Sequence, residues 1–151
     1  WFCEMMLPNL EIGARRSGRT LTDIDLGGHG FIGASKTASG LDAVHKRLRE
    51  RIGLYASTPE YKPMLEMHGW DDKFSDFIGL AREGKWEEIG NHVSDEMLEE
   101  YCVIGTPDDV VKKLGERFGG LTQRVQLDDE WFEDMSDSDI RDLVANIKKI
   151  D

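Results

Sequence analysis

Six side chains carry the types and spacing expected of a ligand pocket: His29, Phe31, Tyr55, Tyr61, His68 and Trp70. An imidazole at position 29 offers a donor and an acceptor that change charge near neutral pH. Phe31 shares its inside-or-outside parity if residues 24–34 form one strand, so the two would point the same way. Tyr55 and Tyr61 flank the Ser57-Thr58-Pro59 turn with phenols that both donate and accept. His68 and Trp70 bracket Gly69 at a helix stop. Arg51 and Lys62 offer cations to an anionic group. Each of these residues also has an ordinary reading, as core packing, a cap or a solvated face, and the sequence leaves both open. No catalytic residue is assigned, and the residues that would bind a cofactor are unknown. His29, His45, His68 and His92 share no helical face, and HExxH and CxxC spacings are absent, so no metal site is expected. A nucleophile elbow, a dinucleotide glycine loop and a phosphate loop are absent as well.

The elements that must position these side chains follow from periodicity and punctuation. Residues 1–16 read as a helix interrupted or bent at Pro8, and residues 24–34 as a glycine-weakened strand. A polar turn spans 35–40. Leu41, Val44, Leu48, Ile52 and Tyr55 form the apolar stripe of a basic amphipathic helix over 41–55. Thr58-Pro59 opens a helix that Gly69 stops, and further helices cover 70–84, 85–91 and 94–102. Thr106 caps the next helix, with Pro107 at its first position and Asp108 and Asp109 at its positive end. That helix runs to Phe118 and meets Gly119-Gly120. A short strand over 124–127, an acidic linker over 128–134 and a helix over 136–150 follow. Two strands separated by helical crossovers imply a parallel pair, and two strands alone make a poor sheet.

The chain has 151 residues, a net charge of −11 and a pI near 4.8. That length suffices for one core. Such acidity argues against nucleic-acid binding and against anionic membrane surfaces, since both require clustered cations. No apolar run reaches the ~20 residues of a bilayer span. Two cysteines without metal spacing favour a reducing, cytoplasmic setting.

The run Arg51-Ile52-Gly53-Leu54-Tyr55-Ala56-Ser57-Thr58-Pro59-Glu60-Tyr61 through Leu65-Glu66-Met67-His68-Gly69-Trp70 resembles a segment of the bacterial luciferase-like monooxygenases, in the branch that uses a deazaflavin. Asp95-Glu96-Met97-Leu98, Val103-Ile104-Gly105-Thr106-Pro107-Asp108-Asp109-Val110, Leu7-Pro8-Asn9-Leu10, Gly13-Ala14 and Gly18-Arg19 fit the same branch, so the likeness covers roughly residues 1–127. The resemblance implies an α/β fold, the C-terminal fragment of a TIM (β/α)8 barrel. On that register residues 24–34 become strand seven, 124–127 strand eight, and 41–102 a helical insertion after strand seven that leans over the catalytic face. It implies an oxidoreductase that transfers hydride between the deazaflavin coenzyme F-420, or alternatively FMN, and a small organic substrate, with monooxygenation in the flavin case. Catalytic residues would lie in the N-terminal part of the barrel, which this chain lacks and would need as a partner. Homo-oligomerisation is left open. The alternative is a non-catalytic helical protein-interaction module derived from such a barrel.

Overall fold

A computed structural model describes residues 2–28 and 30–150. His29, named above, lies outside the described residues, as do Trp1 and Asp151. The architecture is a mostly helical α/β arrangement with short parallel strands. A helical turn at Phe2–Met6 runs into α1 (Leu7–Arg16), which places Pro8 in the first turn of α1, where a missing N–H costs little.

Among the described residues five strands form, not the two expected. Residues 24–34 do not make one strand. They divide at a bend at Gly30 into β1 (Gly27–Gly28) and β2 (Phe31–Ser35), which join different sheets. Glycines at the break leave no side chains to pin a continuous ladder. β1 pairs in parallel with β4 (Arg124–Val125), at Gly27 with Arg124 and Gly28 with Val125. β2 is the centre of a second parallel sheet, between β3 (Cys102–Gly105) and β5 (Phe132–Glu133). β3 is a run of four buried residues, Cys-Val-Ile-Gly, the pattern of a strand covered on both faces. β5 arises inside the acidic stretch because Trp131 beside it is buried.

Helices cover both faces of β2. From one side α2 (Ala38–Ala56) packs on it, carrying Val44, Leu48 and Ile52 into a cluster with Phe77 of α4 (Phe74–Arg82), Ile89 of α5 (Trp86–Asn91) and Met97 of α6 (Asp95–Tyr101). From the other side α7 (Pro107–Phe118) and α8 (Asp137–Ile147) bring Val110, Leu114, Phe118 and Leu143 against Ile32, Ala34 and Val103. Alternation along the strand sends Ile32 and Ala34 to the α7–α8 face and Gly33 to the α2 face. At Gly33 the helix comes so close that an added Cβ would stand 2.4 Å from Val44 Cγ1.

Caps fix the helix starts. α2 begins inside the expected turn, because the Thr37 hydroxyl accepts from Gly40 N at 3.0 Å and donates to Asp134 Oδ2 at 2.6 Å. In α7, Asp109 N donates to Thr106 Oγ1 at 3.3 Å while Asp109 Oδ2 accepts from Thr106 N at 3.1 Å, a reciprocal capping box. These bonds from Thr106 to its carboxylate hold the Asp109 pKa below its ordinary value of 3.8. Among the described residues no helix is long and apolar enough to cross a membrane.

Two outcomes are expected. Gly33→Ala forces α2 off the sheet and lowers stability by ~1–3 kcal/mol in urea titration, with the m-value unchanged. Because the Asp109 pKa is depressed in the folded state, its contribution is present above pH 3.8 and is lost as pH falls through the folded value. Acid melts of Asp109→Asn should therefore show a shallower fall of melting temperature below pH 4 than those of the parent chain.

Candidate functional site

The parallel pair β1–β4 ends at Gly28 and Val125. Just past those ends the chain turns through Gly30 and Phe31 on one side and Gln126 and Asp128 on the other, and these residues line an open cavity of about 1060 Å³. Helices α2 and α3 (Lys62–Met67) and the C-terminal end of α6 supply the opposite walls.

One wall is a run of rings. Phe31 stands 5.7 Å from both Tyr55 and Trp131, edge-on to the indole at 81°. Tyr55 meets Tyr61 at 5.2 Å and 84°. The guanidinium of Arg51 lies 5.1 Å over the Trp131 ring, with a long 3.5 Å contact to Glu130. Such centroid distances belong to attractive edge-to-face and cation–π geometry. Tyr55 and Tyr61 are 38% and 40% exposed, so their faces are open rather than spent in the core.

The second wall is polar. Gly69 takes a left-handed φ of 72°, which ends α3 and folds Trp70 back over His68. The two rings stack at 4.6 Å and 18°. Tyr101 meets both edge-on, at 6.1 Å from His68 and 5.9 Å from Trp70. His68 Nε2 is 3.8 Å from Glu100 Oε1, within Coulombic reach but too far for a hydrogen bond. Among the described residues, His68 Nε2, Tyr101 Oη and Trp131 Nε1 are buried without a hydrogen-bond partner, a condition that costs about 1–3 kcal/mol each. Burial, with Glu100 adding to it, pushes the Tyr101 phenol up to about 12, so it stays a neutral donor.

Of the sequence-named residues, Phe31, Tyr55, Tyr61 and His68 converge on this cavity, and Trp70 sits behind His68 as its stacking partner. The shared parity expected for positions 29 and 31 falls outside the described residues, because His29 is not among them. Lys62 is engaged by Glu66 at 2.8 Å and by the Phe74 ring at 5.7 Å, away from the cavity lining. Sequence reasoning missed Tyr101 and Trp131. Tyr101 fits the apolar stripe of a short helix, and Trp131 lies in an acidic stretch, where a lone indole among carboxylates was the available signal.

Among the described residues the lining carries four carboxylates, Glu4, Glu100, Asp128 and Glu130, against two guanidinium groups, Arg51 and Arg117. Arg117 is already committed to the carbonyls of Cys102 at 3.2 Å and Glu99 at 2.5 Å. The field therefore favours neutral or cationic occupants over anions.

The luciferase-like monooxygenase family profile matches residues 3–123. An uncharacterized protein of Mycobacterium tuberculosis (strain ATCC 25618 / H37Rv) is 32% identical over 125 residues, covering 83% of this chain and 37% of its own length. The 5,10-methylenetetrahydromethanopterin reductase of Methanopyrus kandleri is 29% identical over 129 residues, 81% of this chain and 34% of its own. That of Archaeoglobus fulgidus is 26% identical over 132 residues, 81% of this chain and 37% of its own. The chain thus spans little more than a third of the curated relatives it matches, 34–37% of their length.

Spectrophotometric alkaline titration should contain a late tyrosinate component near pH 12 that disappears in Tyr101→Phe. Since the folded state holds this proton more tightly, stability falls as pH rises through 10 toward 12, and the Phe variant loses that part of the alkaline slope.

Proposed function

The chain belongs to the luciferase-like monooxygenase family, and from that membership we propose that it forms the substrate-side wall of an oxidoreductase active site within a longer (β/α)8 barrel. The position of the cavity carries this reading. It lies at the carboxyl ends of the parallel pair β1–β4, the end at which barrels of this architecture hold their sites. On this reading β1 and β4 are barrel strands seven and eight, and residues 41–102 form a helical insertion whose Tyr55, Tyr61 and His68 overhang the site. The fraction of the relatives that the chain spans, 34–37%, supports a partial barrel completed by an N-terminal part. Redox chemistry draws support from the relatives named as reductases.

The reaction proposed is hydride transfer between a deazaflavin or flavin coenzyme and a small organic substrate. When bound, the coenzyme supplies or accepts the hydride. A planar ring suits the aromatic wall, but the coenzyme's phosphate and acidic tail do not suit a lining with four carboxylates, whose two guanidinium groups already face Glu130 and two carbonyls. The tail is therefore assigned to residues outside this chain. What these residues do is bind and orient the substrate and keep water from it, through Phe31, Tyr55 and Trp131 on one side and His68 on the other.

Mixed with oxidised or reduced deazaflavin coenzyme, or with FMN, and a panel of alcohols, the chain by itself should show no turnover. Joined to the N-terminal part of the mycobacterial relative, it should bind coenzyme, read as fluorescence quenching. In that joined protein Tyr55→Ala should lower kcat/KM about tenfold, ~1.4 kcal/mol, and leave coenzyme affinity unchanged. Turnover by the isolated chain, or a joined protein that folds and binds neither coenzyme, would overturn the reading.

A further inference from the structure

The acidic stretch after β4 lies along α2, and its contacts come in order. Glu130 Oε2 meets Arg51 at 3.5 Å, and Glu133 Oε2 meets Arg47 at 2.5 Å. Asp134 Oδ2 accepts from the Thr37 hydroxyl at 2.6 Å, and Asp139 Oδ2 meets Lys36 at 2.7 Å. As the stretch advances from 130 to 139, its partners step back from 51 to 36. The segment therefore runs antiparallel to the helix, with a carboxylate against a donor at each step.

The seat is shaped for this segment. Arg47 and Arg51 stand four residues apart, so both project from one side of α2. Gly40 has no side chain where Asp134 arrives: an added Cβ would stand 2.8 Å from Asp134 Oδ2 and 2.1 Å from Ser35 Oγ. Asp134 takes a φ of 53°, and among the described residues no other non-glycine is left-handed. That backbone persists only where surrounding contacts hold it, and the bond from Thr37 is one of them.

Trp131 sits in the middle of this stretch. Arg51 lies 5.1 Å over its ring, and Phe31 meets it edge-on at 5.7 Å. Trp131 packs with the α2 cluster, whereas its neighbour Phe132 packs with the α7–α8 cluster. A slip of β5 by one residue along β2 would exchange the two rings between faces. Burial of an aromatic ring holds the segment down but is non-directional, and both faces would accept a ring. Charge does discriminate. The Arg47 and Glu133 side chains are 38% and 37% exposed, so their attraction adds little stability. A misplaced register still separates such pairs and loses the complementarity.

We propose that residues 130–134 form a strap whose register on α2 is set by charge, with Arg47 and Arg51 as the positioning residues that keep Trp131, and not Phe132, in the cavity wall. This goes beyond the proposed reaction. The strap requires neither coenzyme nor substrate, so its failure would leave the redox reading standing.

The test uses the 151-residue chain. Between ~0.05 M and ~1 M NaCl, hydrogen exchange over residues 128–136 should quicken about fivefold while β3 exchanges as before, because screening removes the weak ion pairs. The double reversal Arg47→Glu, Arg51→Glu should quicken that exchange about fivefold at low salt. It should also invert the salt response, since salt then screens a repulsion. Adding Glu130→Arg and Glu133→Arg to the same chain should return exchange to within about twofold of the parent, an outcome that follows from charge pairing and not from the packing of either residue. The near-UV circular dichroism of Trp131, taken as the difference from Trp131→Phe, should weaken with the reversal and recover with the swap. Exchange over 128–136 that salt leaves unchanged in the parent chain, a reversal without effect, or a swapped chain that keeps β3 protected and does not recover would each overturn the proposal.

Discussion

The contact between α2 and β2 at Gly33 governs the rest of this molecule. β2 is paired on both edges and covered on both faces, so the two helical layers take their positions from that strand. A position without a side chain lets Val44 and Leu48 rest directly on the backbone of the sheet, with Val44 Cγ1 2.4 Å from where a Cβ would stand. Once the helix is seated there, its direction is set. Two further turns along the same helix, Arg51 and Tyr55 come to lie against Trp131 and Phe31 at the edge of the cavity. The aromatic wall is thus a consequence of core packing one face away.

The polar wall depends on the same scaffold through a different route. β3 is buried and lies in register with β2, pairing Phe31 with Cys102. That register brings Tyr101, the residue just before β3, to the same level as the start of β2. α3 then turns at Gly69 and lays Trp70 and His68 against Tyr101. Two walls of opposite character meet across one opening because both are anchored to the N-terminal end of β2. The excess of carboxylates around them keeps the cavity attractive to neutral molecules, which suits the substrate side of a redox site better than the anionic end of a coenzyme.

Much of the local structure was legible in the residues. Thr106-Pro107-Asp108-Asp109 reads as a cap and forms one, because capping is satisfied within four residues and requires nothing distant. The stripe Val44, Leu48 and Ile52 reads as a buried helical face and is buried, because a period of 3.6 fixes which side chains share a side. Phe31, Tyr55, Tyr61 and His68 were identifiable as candidates from residue type and from the turns beside them. The division of residues 24–34 was not legible, since glycines are compatible with strand and bend alike. Nor was β5, whose two residues pair only because β2 offers an edge to them.

The sequence by itself determined the capped start of α7, the buried stripe of α2, the acidic balance and membership of the luciferase-like family. Tertiary structure alone decided which strands pair, that Trp131 and Tyr101 belong to the cavity, and that Lys62 is turned away from it. The reason is one of range. Periodicity and capping act over three or four residues, whereas Trp131 approaches Phe31, a hundred residues earlier in the chain, only after β2 has been enclosed from both sides.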